Sequence, residues 1–99
     1  MASVMDNSIP PNANILAIHK GTRTLTVLTD KSVFWSNGGQ VKSVQLKSIT
    51  AINQKGTKAT LETSTEKIQI GPGVNGLGMA NYKKLPPFIK AIRQAMEEI

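Results

Sequence analysis

The sequence predicts an α+β fold that is mostly β, a barrel of about seven antiparallel strands capped by one C-terminal α-helix. Three observations support this prediction. Short segments rich in β-branched and apolar residues fill residues 14–70, and turn residues separate them at close spacing. The C-terminal end instead places apolar side chains at helical spacing. A chain of 99 residues has the length of one domain with one small core.

The strand region divides at its turn signals into seven segments: NILAIHK, TRTLTVLT, SVFWS, QVKSVQL, ITAINQ, ATLET and KIQIG. Asn37-Gly38 is the strongest hairpin signal, because both central residues of a type I′ turn need positive φ. Alternation predicts that Leu25 and Val27 point inward. Leu28 and Phe34 break this alternation, which indicates that both faces of the sheet are partly covered there.

The C-terminal segment FIKAIRQAMEEI has its apolar residues at the i, i+3, i+4, i+7 spacing of an amphipathic helix. Pro87 suits the first helical turn, where a missing N–H costs nothing. We therefore expect a flexible tail over residues 1–13 and a single domain over residues 14–99. That domain has strands over about 14–70, a glycine-rich loop over 71–86 and a helix over 87–98.

Residues 71–76 match the G-x-G-x-x-G pattern of dinucleotide-binding loops. That chemistry needs a βαβ unit around the loop, and residues 77–99 hold one helix and no second strand. Glycines at 71, 73, 76 and 78 are expected instead to supply positive φ where the chain leaves the sheet. The apolar residues of the loop then either pack on the core or offer a surface to a partner: Val74, Leu77, Met79 and Tyr82.

Composition excludes several functional classes. The chain has no cysteine, and its only histidine, His19, is expected at the surface of a strand end. The six acidic residues do not combine with His19 into a catalytic set or a metal site, so no enzyme activity, cofactor or metal is predicted. The start, MASVMDNSIPPNAN, lacks the regions of a signal peptide, and cytoplasmic residence is the default expectation.

Seven antiparallel strands followed by one helix is the element order of a pleckstrin-homology-like barrel. From about Ile15 to Ile99 the chain resembles short bacterial pleckstrin-homology-like domains of the YokE-like family. The similarity is carried by GTRTLTVLTDKSVFWSNGG and QLKSITAINQKGTKATLET, although Ser32 stands where many relatives have arginine. The resemblance implies a small interaction or assembly module without catalysis.

We therefore predict a non-catalytic module that binds a protein partner or assembles with itself, of chromosomal, phage or mobile-element origin. The net charge of +6 leaves two alternatives open. One is binding of anionic membrane lipid through Lys20 and Arg23, and the other is binding of nucleic acid by a small basic β-barrel. The predicted partner-binding residues are Lys20, Arg23, Val74, Leu77, Met79 and Tyr82.

Overall fold

The computed structural model describes residues 9, 12–21, 24–37, 39–74 and 80–99. Its first sheet is antiparallel and has the order β1-β2-β3-β4, with strands Ile15–Lys20, Thr24–Thr29, Ser32–Asn37 and Gln40–Gln45. The second sheet has the order β5-β6-β7, with strands Ala51–Lys55, Lys58–Glu62 and Lys67–Ile70. A short ladder joins β8, Gly73–Val74, to β9, Ala80–Asn81. One α-helix, α1, spans Leu85–Glu97.

The prediction of seven antiparallel strands and a C-terminal helix is confirmed, but closure into a barrel is not. Within the described part of the chain the seven strands form two separate sheets, with no ladder between them. A 3₁₀ turn over Leu46–Ser48 follows β4 and interrupts the extended backbone. It is held by a bond from the Leu46 N–H to the Lys31 carbonyl. The chain therefore leaves the first sheet here and begins β5 in the second.

Helix α1 begins at Leu85, two residues before its predicted start, and carries Pro86 and Pro87 in its first turn. Its buried stripe packs with residues of both sheets into one core: Leu85, Phe88, Ile89, Ile92 and Ala95. Full burial of each large side chain is worth about 2 kcal/mol. At 13 residues, α1 is not long and apolar enough to cross a membrane.

A second, smaller apolar cluster lies on the opposite face of the first sheet. Leu28 pairs with Val33 and both belong to the main core, whereas Val27 pairs with Phe34 on the other face. The prediction that Leu25 and Val27 point into the main core was therefore wrong. Leu28 takes the inward position because the register of β2 against β3 puts it beside Val33. We call the second group the outer cluster: Val27 and Phe34, with Ile9, Leu25 and Val41 packed against them.

The hairpin after β3 forms one residue later than predicted. Asn37 pairs with Gln40, so it ends β3 and is not a central turn residue. No non-glycine residue in the described ranges has positive φ, so Asn37 does not supply the predicted conformation.

Gly56 has φ of +61° and begins the two-residue turn between the paired residues Lys55 and Lys58. We expect Gly56→Ala to lower the free energy of unfolding by about 1 kcal/mol, because a Cβ is strained at positive φ. Urea denaturation followed by circular dichroism measures this change. Gly39→Ala is the matched control, since a Cβ there meets nothing within 4 Å and φ is not positive. Equal losses in the two variants would contradict the prediction.

Candidate functional site

Strand β1 carries most of the exposed large apolar side chains of the described structure. Four large apolar side chains are exposed among the described residues, and three of them lie in this strand. They are Ile15, Leu16 and Ile18, which are 49%, 45% and 61% exposed. Since β1 ends its sheet, these side chains flank a strand whose second side has no ladder partner in the described structure.

The other end of the same sheet has the composition expected of a protected edge. Strand β4 exposes Gln40, Lys42 and Gln45, which are polar or charged. Edge strands of natural proteins commonly carry such residues because they discourage pairing with other chains. The first sheet therefore has an apolar edge strand, β1, at one end and a polar edge strand, β4, at the other.

A β-bulge widens the exposed apolar part of β1. Ile15 pairs with Thr29 and Ala17 with Leu28, so Leu16 is the extra residue without a partner in β2. A bulge bends its strand and redirects side chains locally. Ile15 and Leu16 are consequently both half exposed, although they are neighbours in an extended strand.

An open groove of about 430 Å³ lies between β1 and the start of α1. Residues 17–20 form its strand side, and Lys83, Lys84, Pro87 and Phe88 form its helix side. We call this the β1–α1 groove. Its floor is apolar at Ala17 and Phe88, and three of its lining residues are lysines.

His19 fixes the inner side of this groove. The side chain is only 3% exposed, so the prediction that it lies at the surface was wrong. Its Nε2 lies 2.8 Å from the carbonyl oxygen of Gly71, and the ring stacks on Phe88 with the ring centres 5.0 Å apart. A carbonyl oxygen only accepts hydrogen bonds, so the proton is on Nε2. His19 thereby ties β1 to the chain after β7 and to α1.

Gly73 permits a close approach at the same place. A Cβ on Gly73 would lie 2.8 Å from the Lys84 Cβ and 3.1 Å from the His19 Cε1. Next to it, the Lys84 ammonium donates a hydrogen bond of 2.8 Å to the Val74 carbonyl oxygen. We call this group the His19 cluster: His19, Gly71, Gly73, Lys84 and Phe88.

The first residues of the G-x-G-x-x-G segment thus make defined contacts with β1 and with the turn before α1. Gly71 and Gly73 do not have positive φ, so the conformation predicted for these two glycines was wrong. Glycine is needed at position 73 because a side chain there would be too close to Lys84 and His19. The carbonyl of Gly71 accepts a hydrogen bond from His19. Gly76 and Gly78 lie outside the described residues.

The predicted partner-binding residues differ in their exposure and in whether the structure describes them. Lys20 is exposed and lines the β1–α1 groove, whereas Val74 is buried and offers little surface to a partner. Tyr82 begins a 3₁₀ turn that ends at Lys84, and its side chain is outside the description. The other predicted residues, Arg23, Leu77 and Met79, lie outside the described ranges.

A second groove, of about 560 Å³, runs between the two sheets and is lined by Lys42, Lys58 and Lys67. Its one aromatic residue is Trp35, and the Lys42 ammonium lies 5.8 Å from the centre of that ring. Binding of single-stranded nucleic acid uses several aromatic rings on which bases stack. Phe34 and Phe88 are buried in the two clusters, so this groove holds charge without such a row of rings.

The β1–α1 groove is lined by apolar and basic residues. Among the described residues that line it, none is Asp or Glu. Within the described ranges, no group of three or more His, Cys, Asp and Glu side chains is placed to hold a metal ion. The chemistry of the groove is therefore that of an apolar floor with a basic rim.

No protein-family model, curated protein or solved structure matches the chain.

Proposed function

We propose that this protein is a non-catalytic interaction module that binds a protein partner along its first strand. The observation that carries the proposal is the exposure of Ile15, Leu16 and Ile18 on a sheet edge that pairs with no other described strand. Burying apolar surface is the main driving force of protein association. An exposed apolar group on a small domain is typical of an interaction site.

The scaffold that we propose is pleckstrin-homology-like. The order of four antiparallel strands, three antiparallel strands and a C-terminal helix supports this proposal. In such a scaffold the sheets and helix supply a rigid support, and binding residues occupy edges and loops. The position of the apolar strand at a sheet edge agrees with that division of roles.

A partner other than a second copy is favoured by charge. Each chain carries a net charge of +6, and Lys20 lies in the same strand as the apolar residues. Two copies that approach through β1 would bring two basic surfaces together, which long-range repulsion opposes. Self-assembly is therefore the weaker form of the proposal.

Photo-crosslinking from β1 tests the proposed function. We expect a benzoylphenylalanine at position 18, in the cells that naturally express the protein, to give a discrete adduct with another protein. The matched control is the same residue at position 53, because Asn53 is also exposed and lies in the edge strand β5. Mass spectrometry identifies the adducts. An adduct between two copies of the chain would favour self-assembly, and equal adducts from both positions would contradict binding along β1.

A further inference from the structure

We infer that the partner segment is an extended acidic peptide, which lies in the β1–α1 groove and adds as a strand to the edge of β1 that has no ladder partner among the described strands. This inference rests on the proposed function and specifies the chemistry and the conformation of its partner. Strand addition of this kind gains affinity from main-chain hydrogen bonds and specificity from alternate side chains. Three features of β1 and α1 support it in turn.

The first feature is the direction of the backbone groups of β1. Gly21 donates its N–H to the carbonyl of Thr24, which makes these two residues a hydrogen-bonded pair. Pairs of this kind alternate with non-bonded pairs along an antiparallel ladder, so Lys20 and Ile18 occupy non-bonded positions opposite Leu25 and Val27. Their N–H and C=O groups therefore point away from β2. These are the groups that an added strand would pair with.

The second feature is the wall of the groove. Pro87 is exposed beside the strand, and Phe88 lies buried next to it. Ile18 alternates with the inward residues Ala17 and His19, so its side chain points to the other face of the sheet. Alternate residues of an extended segment point to opposite faces. One set of its side chains would thus meet Pro87, and the other set would meet Ile18. The groove accordingly fits a segment with apolar residues at alternate positions.

The third feature is charge. Lys20 and Lys84 line the groove together with Lys83, and none of the other described residues that line it is Asp or Glu. The bond from Lys84 to the Val74 carbonyl fixes that ammonium beside the groove at 2.8 Å. Complementary charge raises the rate of association and discriminates against basic segments. The basic rim therefore selects glutamate and aspartate in the partner.

The peptide is favoured over the two other possible occupants of this surface. A second copy would bring its own net charge of +6 to the groove. An anionic membrane would satisfy the lysines, but lipid tails provide no partners for the outward N–H and C=O groups of Ile18 and Lys20. An acidic strand satisfies both the charge and the backbone.

The test uses the full chain and a fluorescein-labelled peptide of alternating glutamate and valine, about eight residues long to match a typical strand. We expect saturable binding by fluorescence anisotropy and slower hydrogen exchange at the amides of Ile18 and Lys20. A peptide with lysine in place of glutamate should bind at least about tenfold more weakly. A peptide with N-methylated valines lacks the donors of a ladder and should lose about tenfold as well.

Variants of the chain test the same contacts from the other side. Ile18→Pro removes an outward N–H without removing a bond to β2, and should weaken peptide binding by about tenfold. Lys20→Glu should weaken it by about fivefold and reduce its salt dependence. Lys55→Glu is the matched control, since Lys55 is exposed and lies outside the groove, and it should leave binding nearly unchanged. Should Ile18→Pro fail to fold, the N-methylated peptide still tests the ladder.

Four results would overturn the inference. The first is that the N-methylated peptide binds as tightly as the unmodified glutamate–valine peptide, and the second is that the lysine peptide does so. The third is slow hydrogen exchange at the Ile18 amide without any peptide, together with a dimer mass in light scattering. The fourth is no peptide binding together with flotation on phosphatidylglycerol vesicles that Lys20→Glu abolishes, which would assign the groove to a membrane. If the peptides fail while crosslinking from position 18 still yields a partner, the inference fails and the proposed function stands.

Discussion

Replacing His19 with alanine is expected to lower the free energy of unfolding by about 3 kcal/mol, because three losses coincide. The Gly71 carbonyl loses its partly buried hydrogen bond of 2.8 Å, Phe88 loses a stacked ring, and the removed side chain leaves a cavity beside β1. Urea denaturation followed by circular dichroism gives the change, and an unchanged m-value shows that the same amount of surface is exposed.

His19→Phe separates the contributions of the ring and the hydrogen bond. Phenylalanine keeps an aromatic ring against Phe88 but has no donor for the Gly71 carbonyl. We expect it to cost about 1 to 2 kcal/mol, less than alanine, because only the polar contact is lost. If the alanine variant were as stable as the wild type, the His19 cluster would not hold β1 in place.

Replacing Gly73 with alanine is expected to lower the free energy of unfolding by about 2 kcal/mol, the usual cost of overpacking. The new Cβ would lie 2.8 Å from the Lys84 Cβ and 3.0 Å from the Lys84 Cδ. The nearer of these atoms is attached to the backbone and does not move aside as the tip of a side chain does. The same denaturation experiment measures the effect.

Gly71→Ala is the control for this substitution, two residues earlier in the same segment. A Cβ at Gly71 meets nothing within 4 Å, and φ there is not positive. We expect alanine to leave stability unchanged or to raise it by about 0.5 kcal/mol, since it restricts the unfolded chain. A result in which Gly71→Ala is the more damaging change would reject the role assigned to Gly73.

Local sequence signals located the elements well. Gly and charged residues at turns bounded the seven strands, and apolar spacing identified α1, because both signals arise within a few neighbouring residues. The start of α1 was misplaced by two residues, at the Pro86-Pro87 pair. Helix termini depend on local capping and are less sharply encoded than helix interiors.

Contacts between distant segments explain most of the misplaced predictions. His19 was expected at the surface because its partners, Gly71 and Phe88, lie far along the chain. Its shared face with Ala17 was the available signal, since both residues point inward in β1. The inward face of β2 likewise depended on the register against β3, which moved Leu28 into the core and Val27 out of it.

The exposed apolar surface of β1 was also not encoded locally. ILAIHK is an ordinary strand sequence, and only the strand order places β1 at the edge of its sheet in the part of the chain that the structure describes. Of the predicted partner-binding residues, Lys20 lies beside this surface, whereas Val74 is buried. Exposure of Ile15, Leu16 and Ile18 could be read only after the sheet was assembled.

The position of the His19 cluster at one end of β1 has a thermodynamic consequence for binding. His19 anchors the strand to segments 52 residues and more away in sequence, immediately beside Ile18. The conformational entropy of this strand is therefore lost when the protein folds and is not lost again when a partner arrives. A preorganised strand of this kind would let the proposed peptide bind with little loss of conformational entropy in the protein.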